Sequence, residues 1–509
     1  MKFERQSGVV LHPSSLPGAY GIGEIGAEAY RFAEALARMG QRIWQVLPLG
    51  PTSYGDSPYQ CLSSFAGNHL LVAFQTLIDD GLLLEEELAD FPQFPADQVD
   101  YGPVIQAREA VLNNVAEHFE ARASENMIKE FSGFQTHNRN WLSDYALFVA
   151  LKKAHGGRPW HEWEVPLRDR NSDALKAARE EHAAVIRAVE VQQFLFFDQW
   201  RSLAEHAHRH GVKILGDIPI FVAHDSADVW AHPELFYLDD AGKCTTVAGV
   251  PPDYFSKTGQ RWGNPLYRWD LMEASGFSWW KERMRTTFEL VDYVRIDHFR
   301  GFEAYWEIPA DEETAVNGKW VKGPGRALFE AFEKEFGTLP IIAEDLGIIT
   351  DEVDALREAC GFPGMRVLHF IIGNDENEPG FWPDQFPEQC VVYTGTHDND
   401  TTVGWYRLGK GDGSDEQSAV DEAQHKIRTY LSCDGAEIHW DMIACAYGTK
   451  AAIAIVPLQD ALGLDSDSRL NSPGRPEGNW RWRFAWDQLT EGIEQRLAGL
   501  TRDHNRGNG

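Results

Sequence analysis

Positive charge is what this chain has least of. Its 47 Lys and Arg stand against 78 Asp and Glu, leaving a net charge of −31. Nucleic acid and anionic membranes both require basic surface, so neither is expected as a partner. Long apolar runs are missing too. No stretch approaches the roughly eighteen residues that cross a bilayer, and Met1-Lys-Phe-Glu-Arg-Gln-Ser-Gly has no apolar run behind its charges, as a secretory signal would. Cysteine is thin: Cys61, Cys244, Cys360, Cys390, Cys433 and Cys445 lie scattered, with no C-x-x-C pair. They read as reduced thiols of a cytoplasmic protein, not a disulfide frame or a zinc site. Low-complexity tracts are also lacking. The 509 residues, 43% hydrophobic and 12% aromatic, can fill one elaborated barrel or two to three ordinary domains.

Two further absences remove tempting readings. Gly21, Gly23 and Gly26 match a dinucleotide fingerprint, but such a site needs an acid about twenty residues on to hold the ribose. Trp44, Gln45 and Val46 occupy that region, and Pro13 to Pro17 separate the glycines from the first apolar run. A nucleotide cofactor is not expected. His206, His208 and His210 suggest a metal, since histidines four apart share a helix face. No third ligand type lies near them in the chain, and cations suit a helix C-terminus in any case, so no metal is expected.

What is present is a succession of short apolar runs. Gly8 to His12 is followed by a helical pattern with Ala29, Phe32, Ala33, Leu36 and Met39 on one face and Gly40 as its stop. Arg42 to Pro48 resumes strand character, completing a strand-helix-strand unit of a parallel sheet. From Pro51 to Gly211 helical periodicity dominates. Strands then recur at Val212–Asp217, Val291–Asp297, Leu339–Glu344, Met365–Ile372, Cys390–Asp398 and Ala451–Gln459. Thr350-Asp-Glu-Val353 opens a helix with a capping residue and an acidic first turn. Eight strands, most followed by helical pattern, predict a TIM barrel with mostly helical insertions. Residues 1–50 and 212–500 would form the barrel, 51–211 a helical insertion between strands two and three, and 221–290 a loop insertion.

The catalytic rim of such a barrel is built at the C-terminal ends of its strands. Four predicted strands end in carboxylates: Asp217, Asp297, Glu344 and Asp398. Arg295 precedes Asp297 by two residues, so alternation puts a guanidinium on the same face, where it keeps that carboxylate ionised. Like charges sharing a cleft raise at least one pKa, which supplies a protonated acid beside an ionised base. Splitting an acetal linkage needs that pair.

The settings Gly-Asp217-Ile-Pro, Arg295-Ile-Asp297, Ala-Glu344-Asp and Thr-His397-Asp398 resemble the four signature regions of the α-amylase clan. Longer strings are similar to the amylomaltase or 4-α-glucanotransferase family, glycoside hydrolase family 77. They include His12-Pro-Ser-Ser-Leu-Pro17, Gly55-Asp-Ser-Pro-Tyr-Gln60, Ala248 to Phe255, Gly259-Gln-Arg-Trp-Gly-Asn-Pro265, Ile296 to Phe302, Gly361 to Met365 and Gly395-Thr-His-Asp-Asn399. The resemblance implies Asp297 as nucleophile, Glu344 as general acid/base and Asp398 as transition-state stabiliser, with no cofactor and no catalytic metal. It implies sugar contacts for Arg295, His397, Asp217, Trp262, Gln260, Tyr59 and Phe255, and a second glucan-contact surface at Tyr54. His298 joins them, although strand alternation turns it away from Asp297. His369 and Arg475 depart from the pattern, which has glutamine and threonine there.

The expected activity is transfer of α-1,4-glucan segments by double displacement. The substrates would be α-glucans and maltooligosaccharides, and the oligomeric state stays open. A hydrolase of the same clan would share every carboxylate, and a silent glucan-binding barrel would keep the aromatics alone. Pro251 and Pro252 stiffen Ala248–Ser256, with Gly249 and Gly259 about it, so this stretch is expected to roof the cleft beside Trp262, read as a loop residue.

Overall fold

The computed structural model describes residues 2–252, 256–372, 382–408, 417–475 and 477–507. Among these, twelve strands follow in chain order: β1 (Gln6–Val10), β2 (Ile43–Gln45), β3 (Lys213–Pro219), β4 (Thr246–Val250), β5 (Gln260–Pro265), β6 (Tyr293–Asp297), β7 (Ala304–Pro309), β8 (Lys319–Lys322), β9 (Ile341–Ala343), β10 (Gly364–Val367), β11 (Cys390–Tyr393) and β12 (Ile453–Pro457).

Eight of them are parallel and ordered β10-β11-β12-β1-β2-β3-β6-β9. The seam between the outer two is bridged by the Ala343 N–H, which donates to the Pro363 carbonyl at 2.9 Å. Beside it the Met365 N–H donates to Asp345 Oδ1 at 2.6 Å. The result is a TIM barrel, as the sequence predicts. Its strands are short and largely buried (β1 and β12 at every residue), because helices cover the outside and side chains fill the inside. Gly8 shows how tight that interior is: a Cβ there would meet the Ile43 carbonyl oxygen at 2.4 Å and Ile455 Cδ1 at 2.8 Å.

The first helix, Ala27–Arg38, buries Ala29, Phe32, Ala33, Ala35 and Leu36 against the barrel and stops at Gly40, whose φ is 73°. Gly21 to Gly26 form the loop before it. Gly23 is glycine because a Cβ would fall 1.9 Å from the Pro13 carbonyl oxygen, a packing reason with no phosphate in it. Between β2 and β3 run helices from Phe74–Asp79 to Ala183–Arg209, and among the described residues the only β pairing in that stretch is isolated bridges. The last of these helices returns along the barrel, where the Trp200 Nε1–H donates to the Leu290 carbonyl at 2.8 Å. No helix among the described residues is long and apolar enough to cross a membrane.

Two expectations need correction. The apolar run Met365–Ile372 is not one strand: it ends at Val367 and turns into the helix Leu368–Ile371. A short apolar run carries no period long enough to separate the two. The second concerns β4, β5, β7 and β8, which form an antiparallel sheet in the order β5-β4-β7-β8 that hydrophobic patterning does not announce. Gln-Arg-Trp-Gly-Asn-Pro and Lys-Trp-Val-Lys are largely polar, and the sheet has only a small core of Val247, Ile308 and Ala315. Trp262 therefore sits on a strand and not in a loop. Gly249 and Val250 belong to β4, so the expected roof is the connection of a hairpin; Asp253, Tyr254 and Phe255 lie outside the described residues.

Candidate active site

Strands β3 and β6 lie side by side with Asp217 paired to Arg295. Arg295 is buried between two carboxylates. Its Nη1 donates to Asp217 Oδ2 at 2.6 Å and its Nη2 to Asp297 Oδ1 at 2.9 Å, while Nε lies 3.3 Å from Met365 Sδ. The Tyr59 hydroxyl adds a second donor to Asp217 Oδ2 at 2.9 Å. Asp217 has no exposed side-chain surface, whereas Asp297 is 32% exposed. The guanidinium can direct its donors this way because it is a rigid fork.

Glu344 stands one residue past β9 and is buried. Its Oε2 accepts from the His298 N–H at 2.7 Å and its Oε1 from the Leu346 N–H at 2.8 Å. Those donors favour the anion, but burial, reinforced by the charge of Asp297, outweighs them and pushes the Glu344 carboxyl up to about 8. At neutral pH this places a protonated carboxyl beside a carboxylate held by an arginine. Such a pair can protonate a leaving oxygen on one side of a bond and attack on the other.

His298 corrects the alternation argument. It follows the last strand residue in a left-handed conformation, φ 53° and ψ 49°, so the period-2 rule has ended before it. The turn aims its backbone N–H at Glu344 and stands its ring edge-on to Trp262, with centroids 4.8 Å apart. Burial, then Arg300, lowers the imidazole pKa to about 3, so the ring is neutral. Trp262 Nε1 donates to Gln260 Oε1 at 3.1 Å, within β5.

Asp398 is placed differently. It lies beyond β11, in a turn where Asn399 Oδ1 accepts from the Thr396 N–H at 2.8 Å, and its side chain is 47% exposed. Asp217 is likewise not at a strand end but inside β3, so only Asp297 closes its strand. Asn471 Nδ2 donates to Asp398 Oδ1 at 2.6 Å, and Arg469 Nη2 to the Asp398 carbonyl at 2.6 Å. His397 is buried and stacks on Tyr59, centroids 5.1 Å apart and planes within 13°. Trp480 leans on both rings, in a left-handed conformation with φ 63°.

Sequence reasoning misses Asn471, Arg469 and Trp480. The one signal near them is the turn-forming Asn471-Ser-Pro-Gly, which says nothing about what the turn faces. Tyr54 is 75% exposed in the turn Tyr54–Asp56 and takes no part in these bonds. Phe255 lies outside the described residues. Of the two departures, His369 is buried, stacks on Trp405 at 4.5 Å and meets Thr402 Oγ1 at 3.0 Å, while Arg475 is exposed.

A family model described as 4-alpha-glucanotransferase matches residues 11–490. A 4-alpha-glucanotransferase of Thermus thermophilus is 48% identical, covering 99% of this chain and 100% of the relative. One from Synechocystis is 45% identical, covering 99% and 98%. Among solved structures, an amylomaltase from Streptococcus agalactiae in complex with acarbose superposes with a TM-score of 0.93 at 38% identity, covering 99% of this chain and all of that one.

Proposed function

The chain belongs to the 4-alpha-glucanotransferase family and is an enzyme of that activity, and from that premise we propose a retaining double displacement on α-1,4-glucans. The Asp297 carboxylate attacks the anomeric carbon of the donor while protonated Glu344 gives its proton to the departing glycosidic oxygen. A covalent glucosyl-Asp297 ester forms and the shortened glucan leaves. Glu344, now a carboxylate, takes the proton from the 4-hydroxyl of an acceptor glucan. That oxygen displaces Asp297, and the new α-1,4 bond has the starting configuration.

The single observation that carries this reading is the contrast between the two acids: Glu344 sits on two backbone donors, its carboxyl pushed up by burial to about 8, and Asp297 is 32% exposed on the Arg295 fork. Asp398 and Asp217 are the further carboxylates of the site, Asp398 stabilising positive charge on the sugar and Asp217 fixing Arg295 and Tyr59. His397, Tyr59, Trp262, Gln260, Phe255 and His298 line the sugar positions, and Tyr54 serves an outer glucan contact. The β4–β5 hairpin shields the ester from water while an acceptor stacks on Trp262. We also retain the division into a barrel, a helical insertion at 51–211 and a lid-bearing insertion at 221–290, and a cytoplasmic setting.

The experiment is a trapping one. A Glu344→Gln variant given a maltosyl fluoride, whose leaving group needs no proton, should accumulate a glycosyl adduct on Asp297 visible by intact mass and peptide mapping. An adduct on another residue, or inverted product by NMR, would overturn the double displacement.

A further inference from the structure

Helix Ala183–Arg209 ends in three histidines for which the sequence offers no third kind of ligand. The fold supplies one. Glu34, from helix Ala27–Arg38, comes alongside His206 and His210, and one ligand atom from each of the three lies within 4.8 Å of the others. The separation along the chain is 206 − 34 = 172 residues, which is why no sequence window contains the site.

The local geometry is that of a chelate. His206 Nε2 donates to Glu34 Oε1 at 3.2 Å, and a bound metal would take the place of that proton. His210 Nδ1 lies 3.0 Å from the His206 carbonyl oxygen, a bond that puts the proton on Nδ1 and leaves the Nε2 lone pair free. Metal-binding histidines are held in this way, with the second ring nitrogen donating to a carbonyl. The two rings sit one helical turn apart with centroids 4.5 Å from each other. Tyr30 packs on His206 at 4.8 Å and fixes its ring. His208 is turned away and pairs with Asp292 at 2.8 Å. The site lies in the last turn of the helix, where the carbonyl ends favour a cation, with Arg209 as the opposing charge.

We propose that Glu34, His206 and His210 bind a divalent transition metal of the zinc class, stapling the two helices that flank β2. Two imidazoles and one carboxylate suit such an ion, with water completing a tetrahedral shell. Magnesium and calcium, which take oxygen ligands, do not suit it. The staple joins elements on the barrel's flank, so it acts on stability and not on glucan transfer.

The test uses the full chain stripped with EDTA and titrated with Zn²⁺ alone. Calorimetry should give one zinc per chain with a Kd on the order of micromolar, and saturating zinc should raise Tm by about 2 °C or more, with Mg²⁺ giving no shift. Glu34→Gln, His206→Gln and His210→Gln should each weaken binding by about tenfold or more. His208→Gln should bind as wild type does, and maltotriose turnover should be equal with and without zinc. A Kd weaker than about 100 μM overturns the proposal, as does zinc binding that survives the three substitutions or is lost equally in His208→Gln. Zinc that inhibits turnover with the affinity of binding places the ion among the catalytic carboxylates, and overturns it as well.

Discussion

The two walls of the cleft are built on different principles. On one, Asp217, Arg295, Asp297 and Glu344 stand on or directly after adjacent barrel strands, and their spacing is set by strand register and backbone donors. On the other, Asp398 and His397 ride a turn beyond β11 and are held by Asn471, Arg469, Tyr59 and Trp480, which arrive from distant segments. The first wall is positioned by the scaffold, the second by side chains holding one another. Substitutions on the strand wall should therefore remove a chemical function outright, while those behind the turn should loosen a position.

The sharpest test of that contrast is Asp297→Asn or Glu344→Gln. Each is near-isosteric, leaves the strand in place, and should lower turnover of maltotriose at least about 10²-fold with folding intact by circular dichroism. Behind the turn, Asn471→Ala removes one donor to Asp398 and leaves a carboxylate that water still reaches. Its kcat should drop by about tenfold, with KM nearly unchanged, since in the proposed mechanism the bond matters most when charge develops on the sugar. Equal losses from Asn471→Ala and Asp297→Asn would erase the distinction between the walls.

Smaller effects sharpen it further. In the mechanism proposed above Glu344 gives its proton only when neutral, so kcat/KM should fall on the alkaline side with an apparent pKa near 8, halving at about that pH. In Asn471→Ala the same limb should stay in place, because Asn471 bears on the other wall. The last effect spares rate and concerns stability. A carboxyl whose folded pKa is raised binds its proton more tightly folded than unfolded, so wild type loses stability as pH rises from the ordinary glutamate range towards 8. Glu344→Gln has no such proton. Apart from a constant offset, denaturation midpoints should show it gaining on wild type across that window and levelling above it. A parallel pH dependence in the two proteins would remove the buried acid from the account.

The contrast also explains what could be read in advance. Arg295 and Asp297 were legible because the two-residue alternation of a strand is a local rule, and Asp217 and Glu344 because apolar runs pointed to them. Alternation fails at His298 because the strand ends one residue earlier and the chain turns left-handed. The sequence around Trp262 reads as a loop because β5 owes its existence to pairing with β4, not to an apolar pattern of its own. Asn471 and Trp480 were beyond reach: their meaning is contact with Asp398 and His397, and no periodicity encodes a contact between segments more than seventy residues apart. Glu34 beside His206 is the same lesson outside the cleft.

The closure of the barrel carries a consequence for synthesis. β1 pairs along its length with β12, Gln6 with Ile453, so 453 − 6 = 447 residues separate the two sides of one hydrogen-bonded ladder. On a ribosome adding about 5–20 residues per second, β1 emerges and then waits roughly 20–90 s for its partner. Through that interval the nascent chain keeps one apolar edge open beside β1, a template for pairing with a neighbouring nascent chain. The acid that falls between them, part of a net charge of −31, makes like chains repel during that wait. The same surplus of acid that the finished enzyme carries protects the unfinished one from its own copies.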